Sequence, residues 1–201
     1  MTAVHPIEAE SYRILAERID LSHLSPTPRA VVERVIHASA DLEYASTMSV
    51  PLAAVFAGVE AIRAGAPVVT DVEMTRVGIT GVTAECFLDQ AMGTGELTRS
   101  AAAMRLAAKR HPTGAVFVIG CAPTALNELV SLAANNDTQG FAPALVIGLP
   151  VGFVGAADAK EAARQSGLRV ISNRGEKGGS AVAAAACNAI VRLAAAGASH
   201  E

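Results

Sequence analysis

Short apolar runs, each followed by a stretch with helical spacing, constrain this chain most. Ala115-Val-Phe-Val-Ile119 is the clearest; Pro143-Ala-Leu-Val-Ile147 and Leu168-Arg-Val-Ile171 follow it, and Pro67-Val-Val-Thr-Asp71 comes before. A strand with one wet face alternates apolar and polar residues, so a run apolar on both faces must be covered on both. Helical spacing is read over residues 98–110, 123–134, 156–165 and 179–196. Buried strands alternating with helices predict an α/β fold, a single-domain three-layer sandwich around a mostly parallel sheet.

The first fifty residues read differently. Tyr12, Leu15, Ala16 and Ile19 share a helical face, and Val31, Val32, Val35 and Ile36 crowd one side of a helix expected over 29–37, after a proline-containing loop from Leu21 to Pro28. Residues 1–50 are therefore expected to form a helical arm or cap on a domain spanning 1–201. Pro51 suits the first turn of a further helix that Gly65 can end. Ala84–Asp89 reads as an additional strand.

With 201 residues, about 70% of the unfolded surface should be buried around one core. The chain is 51% hydrophobic and 17% charged, which excludes disorder, and only 3% aromatic, so alanine and glycine must supply much of the packing. A net charge of −3 gives no general field for nucleic acid. Cys86, Cys121 and Cys187 lie apart in apolar segments and read as small buried hydrophobes, neither a disulfide framework nor a zinc site. Charged residues from Glu8 to Arg18 argue against a signal peptide, and the uncharged stretch Gly140–Ala157 is broken by Pro143, Gly148, Pro150, Gly152 and Gly155, against a membrane span. A cytoplasmic protein is expected.

In open α/β sheets ligands bind beyond the carboxyl ends of the strands. Four segments should arrive there as loops: 71–79, Gly120-Cys-Ala-Pro-Thr-Ala125, 148–155 and Ser172-Asn-Arg-Gly-Glu-Lys-Gly-Gly-Ser180. In the last, Gly178 and Gly179 permit close backbone approach and Ser180 stands where a helix begins. Free amides there, with Lys177 or Arg174, suit a carboxylate or phosphate; tight turning and capping are the plainer use. The glycine spacing matches neither a Walker loop nor a dinucleotide fingerprint. Arg99 sits at a helix start, where a cation opposes the dipole and a ligand carboxylate would suit it. Asp71 ends a strand and can hold a loop amide or His37.

Acid–base chemistry has one good candidate. His37 lies in Arg34-Val-Ile-His-Ala-Ser-Ala-Asp41, whereas His5 and His200 are terminal and His23 and His111 adjoin proline-containing breaks. His37 either closes a helix, its cation against the negative dipole end, or moves a proton. There is no nucleophile elbow and no metal-ligand constellation. A carrier without catalysis and an isomerase or lyase of a small phosphorylated metabolite are the alternatives.

Several motifs in order resemble one family. They are Arg34-Val-Ile-His-Ala-Ser-Ala-Asp-Leu-Glu-Tyr-Ala45, Gly65-Ala-Pro-Val-Val-Thr-Asp71, Thr98-Arg-Ser-Ala-Ala-Ala-Met104, Ile119-Gly-Cys-Ala-Pro-Thr-Ala-Leu126, Pro150-Val-Gly-Phe-Val-Gly-Ala-Ala157 and Gly175-Glu-Lys-Gly-Gly-Ser-Ala-Val182. The chain resembles precorrin-8X and cobalt-precorrin-8 methylmutases over nearly its whole length. The resemblance implies a cofactor-free, metal-free, homodimeric isomerase of cobalamin biosynthesis that moves a methyl group from carbon 11 to carbon 12 of a polycarboxylate corrinoid. It implies His37 as the catalytic residue and Ser11, Arg99 and Arg34 as substrate contacts. Polar contacts are further expected from Asp71, Thr124, Lys177, Gly178, Gly179 and Ser180, and an apolar wall from Met74 and Phe153.

Overall fold

The apolar runs pair into one sheet in the computed structural model, which describes residues 5–95, 97–135 and 140–197; His200 lies outside them. In chain order the elements are α1 (Pro6–Arg18), α2 (Pro26–Ser39), α3 (Tyr44–Thr47), β1 (Met48–Ser49), α4 (Leu52–Arg63), β2 (Val68–Thr70), α5 (Glu73–Gly78) and β3 (Ala84–Cys86). There follow α6 (Arg99–Arg110), β4 (Val116–Ile119), α7 (Pro123–Ala134), β5 (Leu145–Gly148), α8 (Ala156–Gln165), β6 (Val170–Asn173) and α9 (Ser180–Gly197).

The strands lie in the order β1-β6-β5-β4-β2-β3, and every pairing is parallel except β1 with β6. Counting the parallel strands alone from β2, the order is the doubly wound 2-1-3-4-5, which reverses direction between β2 and β4. Parallel crossovers are right-handed. The reversal therefore puts α5 on one face of the sheet and α6, α7 and α8 on the other.

That leaves the first face over β4, β5 and β6 without crossover helices, and α2, α4 and α9 cover it. Val116, Val118, Leu145, Ile147 and Ile171 pack there with Val31, Val35, Val55, Val59, Ala186 and Ile190. Alternate strand residues Val69, Phe117, Ile119, Val146 and Val170 pack on the opposite face with Met104, Ala107, Leu126, Leu129, Ala159 and Ala163. The expected three-layer sandwich is present, and α2 belongs to one of its layers.

Small residues set the layer spacing. An added Cβ at Gly58 would lie 2.5 Å from Leu145 Cδ2 and 3.2 Å from Ile190 Cγ2, so α4 approaches both the sheet and α9 closely. Helix α9 is apolar on nearly every side (Ala183, Ala186, Cys187 and Ile190 are all fully buried), as a helix enclosed by neighbours must be. Cys187 is inert packing, its thiol pushed up to about 12 by burial.

Three local expectations need correction. The strand expected over Ala84–Asp89 stops at Cys86, and Leu88–Gln90 forms a turn of 3-10 helix instead. Residues 71–79 are not a loop, since Glu73–Gly78 is helical. The second helix starts at Pro26, not Arg29, because Pro26 occupies its first turn, where no intrahelical N–H is needed.

Candidate active site

His37 sits in the last turn of α2, which ends two residues later at Ser39 and is capped by Ala40. Ala40 adopts φ 54° and ends the helix by donating to Ile36 O. The turn is braced by Ser39 Oγ, which donates to Val35 O at 2.9 Å and accepts from the Asp41 amide at 3.2 Å.

Helix α1 covers the imidazole. Glu8, Ser11, Tyr12 and Leu15 occupy one stripe at helical spacing, and Leu15 is the residue of α1 that is buried in the core. Ser11 Oγ and His37 Nδ1 share a hydrogen bond of 2.7 Å, and the Tyr12 ring stacks on the imidazole with centroids 5.1 Å apart and planes inclined by 15°. This leaves Nε2 as the nitrogen without a protein partner among the described residues.

The charge around His37 is mixed. Arg34, one turn earlier on α2, donates to Glu8 Oε1 at 2.8 Å, and Arg192 on α9 donates to the same oxygen at 2.6 Å. Burial, followed by the Arg34 guanidinium, holds the His37 pKa below its ordinary value; Glu8 pulls it back up and Arg192 adds to the depression. The negative end of the α2 dipole opposes that depression without being its match.

A second group of side chains lies at the reversal point of the sheet. Asp71, fully buried at the end of β2, accepts from the amides of Gly120, Cys121 and Ala122 at 3.1, 2.7 and 2.9 Å and from Thr75 Oγ1 at 3.1 Å. The chain of hydroxyls runs on to Ser180 Oγ, 3.0 Å from Thr75 Oγ1, and to Cys121 Sγ, 2.9 Å from Ser180 Oγ. Because every hydrogen on Asp71 comes from a donor, the Thr75 hydroxyl must point at it, and Ser180 supplies the next link. Asp71 thus has a different task from the ligand contact expected of it: it ties the β4–α7 loop to the start of α5.

The glycine loop is equally engaged. Gly179 N donates to Leu149 O at 2.9 Å, so this amide is not free for an anion. Lys177 lies 2.6 Å from Asp41 Oδ2 and 2.7 Å from Glu43 Oε2, joining the loop to the turn after α2. Beneath it Lys160 on α8 is fully buried and donates to Asn173 Oδ1 at 3.0 Å and to Lys177 O at 2.7 Å. Burial and the neighbouring Arg164 push its pKa down to about 8.

A Cβ at Gly178 would stand 2.3 Å from Leu149 O and 2.5 Å from Pro150 O, both backbone atoms. Gly178→Ala is expected to cost about 1–3 kcal/mol through forced displacement of the loop. Chemical denaturation checks this, and an unchanged midpoint would show that the two loops part freely.

Other expected contacts are open to solvent. Arg99 begins α6, exposed and without a partner among the described residues; the preceding Thr98 joins Thr124 on α7 by a 2.8 Å hydroxyl contact. Met74 is 69% and Phe153 91% exposed, which suits side chains awaiting an apolar ligand surface. Ser11, Arg34 and His37 are brought together around α1 and α2. Among the described residues no hydrogen bond, ion pair or ring contact joins Arg99, Thr124, Met74 or Phe153 to them, and Lys177 links the glycine loop to the turn after α2. Among the described residues no three histidine, cysteine or acidic side chains are grouped to hold a metal ion. No described helix is long and apolar enough to cross a membrane.

The family model described as precorrin-8X methylmutase matches residues 6–193. The chain belongs to this family. Methylmutases are isomerases, and the family reading displaces the phosphorylated-metabolite alternative. The chain is 39% identical to a cobalt-precorrin-8 methylmutase of Priestia megaterium, over 97% of this chain and 90% of that one. It is 36% identical to a precorrin-8X methylmutase of Pseudomonas aeruginosa, over 92% and 93%. A solved precorrin-8X methylmutase from Thermus thermophilus superposes with a TM-score of 0.85 at 37% identity, covering 96% of this chain and 99% of that one.

Tyr12, Glu8 and Arg192 are the members of the His37 group that sequence reading missed. Tyr12 had a signal, one residue after Ser11 on the same stripe. Arg192 had none, 184 residues away from Glu8.

Proposed function

We propose that this methylmutase moves the methyl group from carbon 11 to carbon 12 of precorrin-8X or its cobalt-bearing counterpart, with His37 as the acid. The observation that carries the reading is the imidazole held between Ser11 and Tyr12, with Nε2 left unpaired beside two arginines. When His37 is protonated, Nδ1–H donates to Ser11 Oγ and Nε2–H becomes the proton offered to the ring system. Protonation of the conjugated macrocycle shifts electron density and lowers the barrier to a 1,5-sigmatropic migration, in which the methyl leaves one carbon as it bonds to the next. The proton then returns to His37. Substrate and product are isomers, so the step calls for no redox partner.

The depressed imidazole pKa fits this role. A more acidic imidazolium gives up its proton more readily, and a polycarboxylate arriving beside it raises the fraction protonated. The enzyme is further proposed to act as a homodimer in the cytoplasm, with Arg99, Thr124, Met74 and Phe153 as substrate contacts.

The direct experiment mixes the purified protein with precorrin-8X and follows the visible spectrum and product mass, with cobalt-precorrin-8 in a matched run. Spectral conversion at unchanged mass supports the reading. A binding spectrum without conversion of either substrate rejects it in favour of carriage.

The pH dependence has a definite sign. An acid must be protonated, and kcat/KM reports the free enzyme. Since the His37 pKa lies below its usual value near 6.5, kcat/KM is expected to fall with rising pH already below about 6.5, while kcat holds to higher pH. A kcat/KM that rises across that range would identify a neutral imidazole as the working form.

A further inference from the structure

A cavity of about 340 Å³ has in its wall Tyr12, whose ring stacks on His37, together with Ala30, Arg34, Ala189, Arg192 and Leu193. It is smaller than a whole tetrapyrrole needs and large enough for one acidic side arm. Its two guanidinium groups face a single shared carboxylate. Glu8 Oε1 accepts from both Arg34 and Arg192, which leaves one positive charge uncompensated and most guanidinium N–H groups unused. Glu33 in the same wall is engaged elsewhere, 3.5 Å from Arg29. Arg34 Nε is buried without a hydrogen-bond partner, an arrangement that costs free energy until an acceptor arrives. Arg192 is half-exposed, at 53%, so its head group can turn toward a ligand.

We infer that Arg192 and Arg34 form a clamp for one carboxylate arm of the substrate, and that Glu8 is an internal placeholder which cedes the clamp when that arm enters. The inference rests on the reading above that a polycarboxylate sits over His37. It deepens that reading by assigning α9 a substrate contact and α1 a competing anion. Arg34 is three residues before His37, so the occupied clamp fixes which edge of the ring lies over the imidazole. Paired guanidinium–carboxylate contacts have the directionality for such a choice.

The test compares wild type with R192M, R192K and E8Q, each verified to melt cooperatively, by titrating the product hydrogenobyrinate and by steady-state kinetics. R192M is expected to raise the product Kd and the substrate KM about tenfold and to lower kcat as well, since the ring edge is no longer fixed over the imidazole, and R192K to recover part of both losses. E8Q removes the competitor and is expected to tighten product binding severalfold. Unchanged Kd in R192M overturns the clamp. So does E8Q weakening binding as R192M does, for Glu8 would then only dock α1.

A second arm needs no corrinoid. Glutarate added to E8Q is expected to shift the His37 imidazole resonances, and to leave them unmoved in E8Q/R192M. Absence of that shift in E8Q overturns the clamp whatever the corrinoid result. A glutarate response in a protein that binds no corrinoid acid would instead sink the functional reading and spare the clamp.

Discussion

Replacing His37 with alanine is expected to slow the methyl shift by roughly 10²-fold or more, with product affinity changed far less. The loss falls on the chemical step because the imidazole offers its Nε2 proton to the developing charge, while binding is distributed over arginines and exposed apolar side chains. His37 is half-buried and its ring stacks on Tyr12, so truncation also frees space. His37→Gln separates the effects, since it fills much of that space and can still accept from Ser11 Oγ but cannot become a cationic acid. Single-turnover mixing reads the chemical step directly. Near-normal conversion in either variant would remove His37 from the chemistry and leave it as the end of a helix.

Ser11→Ala should then act through His37. With its Nδ1 partner gone, the ring loses the contact that fixes which nitrogen carries the outward proton. Its effect belongs in kcat and in the pH profile of kcat/KM.

The sheet was legible because its strands are buried on both faces, and nothing but a covered parallel sheet accommodates a run like Val116–Ile119. Helices with an apolar stripe, such as α6 and α7, were legible for the same reason. Strand β1 was not, because two residues paired antiparallel at an edge leave no pattern. Helix α5 was missed because Thr75 is its one buried residue, so it has no stripe to read. His37, Ser11 and Arg34 came from motif resemblance, whereas their mutual contact depends on α1 folding back over α2, which spacing cannot state. Lys160 did leave a trace. It shares the face of α8 that carries Ala156, Ala159 and Ala163, and a lysine on a buried stripe must find acceptors inside.

The sheet reversal point should be the most costly place to alter without touching the chemistry. Asp71→Ala deletes a fully buried carboxylate that accepts three backbone N–H groups and one hydroxyl, leaving all four donors in a space too enclosed to rehydrate them freely. The expected cost is about 4 kcal/mol, against net values of roughly 1.5–3 kcal/mol for each hydrogen bond to a charged acceptor, because the loop can relax part of the way. For a domain of this size that lowers Tm by roughly 8–16 °C. Asp71→Asn keeps the volume but turns an amide NH₂ toward other donors, so it is expected to recover little. Thermal unfolding monitored by circular dichroism decides the matter. A melting point within about 2 °C of wild type for Asp71→Ala would mean that the β4–α7 loop is held by its own turn geometry and the carboxylate is free for another task.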